Sequence, residues 1–357
     1  MKHIFLLSGL LFLVNCSKGS ADYAAIQSDC DSVLNHVVTG KAGTNGSEYH
    51  ISISVDGTPM LAIADTGSSN LLINPMSGFT PSNPTNTQFS ISYGDPVSST
   101  AFLTGYQGKV DLHCASGVKS YNYGYITNYS STNGTSAATL MGLAYRDLQQ
   151  PAANDATPTF FKDLVNNDNI SNEFAMLLCG VGNSNSQINF GGISNLYKGT
   201  FHSVPILVGP SGVNDYYNIG AGAITVGETS VGSLESVQTI LDSGTTLNLI
   251  PPTLYQALVA QIPGTSNINP GSVVSCPDLT GLPNVTIMVT DTAGNQFPVV
   301  VTPQTYFKNL GGGQCFFGFA PGGNIAILGQ VTMENYYVHF DRKNHQIGFA
   351  PNTLCNN

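Results

Sequence analysis

Two segments of the sequence share one order of residue types: an apolar strand pattern, an Asp, a small hydroxyl residue, a Gly and another hydroxyl residue. Segment 62–70 carries Asp65, and segment 239–246 carries Asp242. A single segment of this kind indicates little, because Asp, Ser, Thr and Gly gather in ordinary turns. The repeat predicts two half-molecules that each bring one carboxylate to a shared site.

Two carboxylates about 3 Å apart cannot both ionise easily, so one of them keeps a proton. The protonated carboxyl can act as a general acid, while its partner acts as a general base on a water molecule. Such a pair titrates as a unit. Because it hydrolyses an amide without a metal ion or a covalent intermediate, we expect no cofactor and no metal.

Small residues surround the first carboxylate. The hydroxyls of Thr66, Ser68 and Ser69 are close to Asp65 in sequence and offer hydrogen bonds to it. Gly67 is expected to adopt a backbone conformation that a side chain would forbid.

The elements that position these turns are predicted to be short strands. Gly, Ser, Thr, Asn, Tyr and Val are abundant and alternating runs dominate, which favours a mostly-β protein. Residues 50–55 alternate between polar and apolar, as a half-buried strand does, and Asp56-Gly57 follows as a hairpin signal. Helices are predicted around Asp31–His36, at 160–165 and at 252–262.

Length and charge exclude several classes of protein. The chain has 357 residues, enough for two domains. Eleven basic and 21 acidic residues give a net charge of −10 without a basic cluster, which argues against nucleic acid as a partner. No His-Glu-x-x-His pattern occurs, and the cysteines lie too far apart for a zinc knuckle.

The N-terminus has the features of an export signal. Lys2 and His3 precede an apolar run over 4–14, which is far shorter than the ~20 residues that span a bilayer. Cleavage after Ala21 would make residues 1–21 a signal peptide.

A second interpretation of this segment stays open. Residues 13–16 resemble the lipobox of bacterial lipoproteins, although Asn15 departs from its usual small residue. Cys16 would then carry a lipid anchor to a membrane, and the signal would be residues 1–15. Both interpretations predict an exported protein, either secreted or, in a bacterium, periplasmic or anchored to the outer membrane.

The two Asp motifs resemble those of the pepsin-like aspartic peptidases, which carry Asp-Thr/Ser-Gly-Ser/Thr once in each of two lobes. Hydrophobic-hydrophobic-Gly elements at 139–145 and 326–330, and C-terminal strands at 336–351, match this family in the same order. The resemblance covers about residues 49–355. It implies a mostly-β, bilobal pepsin-like acid protease fold, with two six-stranded-barrel-like lobes and a cleft between them.

The resemblance also implies domain limits. A polar segment, 22–48, would precede an N-terminal lobe, 49–197, and a C-terminal lobe, 198–357. Zymogens of the family carry a longer, Lys-rich prosegment, whereas only Lys18 and Lys41 lie between the signal and the first lobe here. We therefore expect no zymogen of the usual kind.

By resemblance, Asp65 and Asp242 would bind the attacking water and share one proton. The hydroxyl residue after each motif Gly would hydrogen-bond the outer carboxylate oxygen, and the one before it would lock the two loops together. The supporting residues are Thr66, Gly67, Ser68, Ser243, Gly244 and Thr245.

Segment 89–95 resembles the family's flap, a hairpin that folds over the substrate. Tyr93 matches the flap tyrosine, and Gly94 and Asp95 complete the substrate-binding tip.

Three positions depart from the family pattern. Leu72 stands where a Trp usually hydrogen-bonds the flap tyrosine, Pro96 replaces a flap Gly, and Gln330 replaces a common Asp. The loss of that Asp removes a charge close to the dyad, so the pH optimum of the family cannot be carried over.

The resemblance also bears on the seven cysteines. Cys276–Cys315 corresponds to the family's most common disulfide in the second lobe, and segment 174–180 resembles beta-secretase, which implies Cys179–Cys355. Cys30 and Cys114 remain for each other if Cys16 leaves or is lipidated.

The function implied is that of an aspartic endopeptidase that acts as a monomer on extended polypeptides, its substrate partner. The alternative is a binding or inhibitor protein that keeps the pepsin fold without catalysis. Such relatives usually lose an Asp or its hydroxyl neighbours, and this chain retains them.

Overall fold

The computed structural model describes residues 34–43, 46–75, 78–94, 97–112, 118–132, 136–151 and 158–355. This part of the chain is mostly β, as predicted. Its first ten strands are β1 Leu34–Gly43, β2 Gly46–Val55, β3 Thr58–Asp65, β4 Leu71–Ile73, β5 Pro84–Tyr93, β6 Ser99–Leu112, β7 Val118–Ser131, β8 Leu140–Gly142, β9 Phe174–Leu177 and β10 Gln187–Phe190.

The second half of the chain adds fifteen strands. They are β11 His202–Pro205, β12 Asn218–Ile219, β13 Ala221–Val226, β14 Thr229–Ser233, β15 Thr239–Leu241, β16 Asn248–Ile250, β17 Val273–Ser275, β18 Val285–Thr290, β19 Gln296–Val301, β20 Phe307–Gly311, β21 Gln314–Phe317, β22 Phe319–Pro321, β23 Ala326–Leu328, β24 Tyr336–Asp341 and β25 Gln346–Pro351.

Four α-helices lie between the strands of the described ranges: α1 Phe160–Asp168, α2 Pro252–Val259, α3 Pro303–Tyr306 and α4 Gln330–Met333. The first two confirm the helices predicted at 160–165 and 252–262. Thr159 caps α1 by accepting a hydrogen bond from the backbone N–H of Lys162. Pro at the first position of α2 suits a helix start, because its missing N–H would have no partner there.

The helix predicted around Asp31–His36 is wrong over its described part, because Leu34 begins strand β1. This strand pairs antiparallel with β10 and then with β2. Val37, Val38 and Thr39 are β-branched, which favours a strand, and the pairing with two neighbours overrides the local helix pattern.

In strand β2, apolar and polar residues alternate so that one face of the strand packs into the core. Its apolar residues Tyr49, Ile51, Ile53 and Val55 are buried, whereas the polar residues between them face outward. The Asp56-Gly57 turn after it has positive φ at both residues, 48° and 81°, as a tight hairpin requires. This confirms the predicted hairpin between β2 and β3.

One arrangement of strands occurs twice. β8 pairs parallel with β3 and antiparallel with β4. In the second half, β23 likewise pairs parallel with β15 and antiparallel with β16. Each copy therefore places a hydrophobic-hydrophobic-Gly strand beside the strand that leads to an Asp turn.

The described strands form four sheets, of 13, 5, 4 and 3 strands. The largest sheet joins the two halves of the chain, because β24 of the second half pairs with β9 of the first. The mostly-β class is thus confirmed, while the six-stranded barrel of each lobe and the lobe limits 49–197 and 198–357 stay predictions.

The described residues include two disulfides: Cys179–Cys355, whose Cα atoms are 5.2 Å apart, and Cys276–Cys315, at 4.8 Å. Cys16, Cys30 and Cys114 lie outside the described residues, as do the signal segment and most of the polar segment 22–48. In the described part of the chain, no helix has the length and apolar character that crossing a membrane requires.

Candidate active site

The two carboxylates of the repeated motif lie at the ends of equivalent strands. Asp65 is the last residue of β3, and Asp242 follows β15 directly. Their side chains are 5% and 7% exposed. Parallel pairing with β8 and β23 supports both turns from behind: Leu143 donates its N–H to the carbonyl of Asp65 at 2.7 Å, and Asp242 donates to Leu328 at 3.1 Å.

The glycines of the two turns bring the carboxylates together. A methyl group placed on Gly67 would lie 2.5 Å from Cγ of Asp242, and one on Gly244 would overlap Oδ1 of Asp65. Gly67 is absent from the residues with positive φ, so the expectation of a special backbone conformation there was wrong. Gly is required because the opposite carboxylate occupies the space of a side chain.

Each carboxylate accepts a matching pair of hydrogen bonds. Oδ1 of Asp65 accepts from the N–H of Gly67 at 2.8 Å, and Oδ2 accepts from the hydroxyl of Ser68. Oδ1 of Asp242 accepts from the N–H of Gly244 at 2.8 Å, and Oδ2 accepts from the hydroxyl of Thr245 at 2.5 Å. These bonds orient both carboxyl planes.

Ser69, a third hydroxyl of the first motif, does not contact Asp65. Its hydroxyl donates to the carbonyl of Tyr145 at 2.5 Å. It therefore anchors the turn to the chain that follows β8, and the hydrogen bond to Asp65 expected from sequence proximity is wrong.

Thr66 and Ser243 connect the two turns. The N–H of Thr66 donates to the hydroxyl of Ser243 at 3.0 Å, and the N–H of Ser243 donates to the hydroxyl of Thr66 at 2.9 Å. The two hydroxyls in turn donate to the carbonyls of Leu241 and Ala64. Since both side chains are fully buried, these four bonds hold the two Asp turns in one geometry.

The electrostatics of the pair favour retention of a proton. Burial raises the pKa of Asp65 well above its ordinary range, and the neighbouring charge of Asp242 raises it further. The hydrogen bonds from Ser68 and Gly67 oppose this rise but do not cancel it. One carboxyl of the pair therefore stays protonated at a pH where an isolated Asp is ionised.

Tyr93 ends strand β5, and Gly94 follows with φ of 91°. The Tyr93 hydroxyl is buried and has no hydrogen-bond partner among the described residues. Burial raises the pKa of Tyr93, and the charge of Asp65 contributes to that rise. Asp95 and Pro96 lie outside the described residues.

Leu72, which stands where the family has a Trp, packs into an apolar cluster beneath Tyr93. The buried members of this cluster are Leu72, Ala101, Leu103 and Ile126, with Phe89, Ile91, Tyr93, Tyr129, Ala137 and Leu140 packed against them. The tyrosine ring therefore rests on hydrocarbon side chains.

Gln330, which stands where the family commonly has an Asp, is fully buried, and both its amide nitrogen and its amide oxygen form hydrogen bonds. Its Nε2 donates to the carbonyl of Ser243 at 2.8 Å. Its Oε1 accepts from the hydroxyl of Ser47 at 2.5 Å and from Nζ of Lys308 at 3.1 Å. The amide therefore links the second Asp turn to a buried lysine.

Sequence reasoning missed this lysine. Lys308 is 2% exposed and forms an ion pair with Glu334, whose Oε1 also accepts from the hydroxyl of Tyr49 at 2.5 Å. Burial lowers the pKa of Lys308, while Glu334 raises it in opposition. The sequence did offer one signal, a Lys among the apolar residues of β20. It did not reveal the partner Glu334, which lies 26 residues further along the chain.

No group of three or more His, Cys, Asp or Glu side chains within the described ranges is arranged to hold a metal ion.

The comparisons with known proteins agree with this geometry. Residues 48–352 match the family model described as eukaryotic aspartyl protease. Pepsin A of Callithrix jacchus is 30% identical over 335 residues, and pepsin A of Canis lupus familiaris is 29% identical over 335 residues. Pepsin-3 of Oryctolagus cuniculus is 30% identical over 336 residues. Each match covers 85% of this chain and 81% of the relative. The chain belongs to the eukaryotic aspartyl protease family.

Proposed function

We propose that this protein is an aspartic endopeptidase that cleaves extended polypeptides with the carboxyl pair Asp65 and Asp242. The observation that carries the proposal is the reciprocal bonding of Thr66 and Ser243, which holds the two turns together. Each motif retains both its Asp and its hydroxyl neighbours, so nothing here favours a catalytically silent binding or inhibitor protein.

In the proposed reaction, a water molecule lies between the two carboxyls. One carboxylate takes a proton from the water as its oxygen attacks the scissile carbonyl carbon, and the protonated carboxyl donates its proton to the carbonyl oxygen. A tetrahedral diol results. Transfer of a proton to the amide nitrogen then lets the C–N bond break, which yields a carboxylic acid and an amine and returns one proton to the pair.

The flap completes the proposed site. Tyr93 would close over the scissile bond, with Gly94 and Asp95 at the tip, and exclusion of water would strengthen the interactions of the carboxyl pair. We expect apolar residues around the cleaved bond and a monomer without a cofactor.

We further propose that the protein is exported. The two disulfides support this, because such bonds persist in oxidising compartments. Signal cleavage after Ala21 and lipidation of Cys16 remain the two routes. Intact-mass measurement distinguishes them, since an unmodified N-terminus at Asp22 excludes the anchor.

The proposed activity is tested by digestion of a peptide library from acid to neutral pH. We compare the wild type with Asp65→Asn and with Asp278→Asn, a control that removes an exposed carboxylate. Cleavage should vanish in the first variant, persist in the second, and be blocked by a statine-type transition-state mimic. Cleavage that survives Asp65→Asn would refute the carboxyl-pair mechanism.

A further inference from the structure

A second concave site lies outside the carboxyl pair. It is a pocket of about 730 Å³ formed by the 3-10 turn after β8, the N-terminus of α1 and the turn between β24 and β25. Its ionisable lining residues are Arg146, Asp147, Lys162, Arg342, Lys343 and His345. We propose that this basic pocket binds an oxyanion of the phosphate class.

The charge of the pocket is opposite to that of the protein. The chain has a net charge of −10 and only 11 Lys and Arg residues, of which four line this one pocket. Asp147 is the only carboxylate among the described lining residues. Such a concentration of cations in a concave site focuses a positive potential that attracts anions despite the acidic surface elsewhere.

Three of these cations have no carboxylate partner in the described part of the chain. Lys162, Arg342 and Lys343 have no carboxylate oxygen within 4.0 Å among the described residues. Lys343 influences Glu173 at longer range, but that carboxylate is bonded to His339 at 2.7 Å. The positive charge of these three side chains therefore remains available to a ligand.

Arg342 is the fixed element of the pocket. It is 8% exposed, and its guanidinium lies over the ring of Tyr145 at 4.2 Å and over that of Phe161 at 5.2 Å. One terminal nitrogen donates to the carbonyl of Leu143 at 3.4 Å. Its Nε is buried and has no hydrogen-bond partner in the described part of the chain. Because an unpaired buried donor is costly, an oxyanion that accepts from Nε would remove that cost.

The N-terminus of α1 borders the pocket. Pro158 and Thr159 line the pocket, and α1 is nine residues long. The N–H of Lys162 in this first turn is capped by the Thr159 hydroxyl, while the helix dipole favours a negative charge at this end of α1. The side-chain amides of Asn166, Asn172 and Asn214 complete the polar lining.

The walls of the pocket are held by backbone hydrogen bonds between distant segments. Tyr145 donates its N–H to the carbonyl of Asp215 at 3.1 Å, and Ile206 donates to the carbonyl of His345 at 2.8 Å. The backbone that bears these cations is therefore already fixed before a ligand binds. This reduces the entropy cost of ordering the site on binding.

The size of the pocket indicates how large its ligand can be. Its volume lies in the range of about 300–1,000 Å³ that is typical of sites for small organic molecules, well above the space that a bare phosphate fills. The shared chemistry is a dianionic phosphoryl group, which is present in free phosphate and in a small organic phosphate monoester.

The test is isothermal titration calorimetry of the full chain at neutral pH, with inorganic phosphate and, separately, glucose 6-phosphate as probes. Lys162→Gln/Lys343→Gln removes two exposed cations of the pocket, and Lys109→Gln/Lys198→Gln removes two exposed cations elsewhere. We expect saturable binding to one site, weakened at least about tenfold by the first pair of substitutions and unchanged by the second. Circular dichroism verifies that both variants are folded.

The two probes distinguish the ligand sources. If glucose 6-phosphate binds more tightly than inorganic phosphate, the pocket also contacts the organic part of the ligand. If both bind equally, the pocket recognises the phosphoryl group alone. The proposal is overturned if neither probe binds saturably, or if both pairs of substitutions weaken binding equally. Because the measurement is of binding, it stands whether or not the protein cleaves peptides.

Discussion

Thr66 and Ser243 are 177 residues apart in sequence, yet each donates its backbone N–H to the hydroxyl of the other. The two hydroxyls also donate to the carbonyls of Leu241 and Ala64, on the strand of the opposite turn. The relationship is symmetric, so neither Asp turn can shift without breaking bonds made by the other. The position of the two carboxylates follows from this exchange.

Substitution of Thr66 by Val should destabilise the protein. Val keeps the branched shape but removes the hydroxyl, which leaves the N–H of Ser243 buried without an acceptor, at a cost of about 1–3 kcal/mol. The free energy of unfolding, measured in urea, should fall by that amount. Thr229→Val, at an exposed position of β14, is the control and should stay within about 0.5 kcal/mol of wild type. Equal stability of both variants would refute the role assigned to Thr66.

Substitution of Gly67 by Ala should abolish peptide cleavage. The added methyl group would lie 2.5 Å from Cγ of Asp242, so the carboxylate must move. We expect kcat/KM to fall at least about a hundredfold, because small misplacements at a reacting centre have effects of that size. The matched control is Gly220→Ala, where the nearest atom to the new methyl group is 3.8 Å away. A Gly67→Ala enzyme as active as this control would contradict the close approach.

The pKa of Asp65 makes a prediction about stability and pH. Because burial and Asp242 raise this pKa in the folded protein, the folded state binds more protons than the unfolded state at pH values above the ordinary 3.8. The stability from Asp65 is thus present at lower pH and is lost as the pH rises through the raised pKa. Asp65→Asn removes this dependence.

The variant should therefore become more stable than wild type as the pH rises from about 4 toward neutral, by at least about 1.4 kcal/mol, the equivalent of one pKa unit. Urea unfolding of both proteins at several pH values gives the difference directly. A stability difference that does not change with pH would show that the pKa of Asp65 is not raised.

The Lys308–Glu334 ion pair should be essential to stability. Lys308→Met leaves the carboxylate of Glu334 buried without its cation, and removal of one partner of a buried pair costs about 3–5 kcal/mol. Lys308→Met/Glu334→Gln removes both charges and should recover part of this loss, as a double-mutant cycle in urea would measure. Strict additivity of the two substitutions would mean that the pair does not interact.

The strands that lead to Asp65 and Asp242 were predictable because each is a local apolar run that ends at a turn signal. The hairpin at Asp56-Gly57 was predictable for the same reason, since its chemistry lies in two adjacent residues. Strand β1 was not, because Leu34 is extended through pairing with Phe190, far along the chain.

Contacts between distant segments were equally unpredictable at the candidate active site. The buried ion pair of Lys308 depends on Glu334, which approaches only when β20 and α4 pack together. The need for Gly67 was predictable, but its reason was not, because the atom that excludes a side chain belongs to Asp242. Pattern reasoning detects chemistry within a few residues, whereas these contacts arise between segments.

We propose that Asp65 and Asp242 act as one catalytic unit, and kcat/KM of a purified peptide substrate with Asp65→Asn, Asp242→Asn and the double variant tests this. Groups that act as a unit are strongly non-additive, so each single substitution should reduce kcat/KM at least about a thousandfold and the second should add little. Wild-type kcat/KM in either single variant, or losses that multiply in the double variant, would show that the two carboxyls do not act as one catalytic unit.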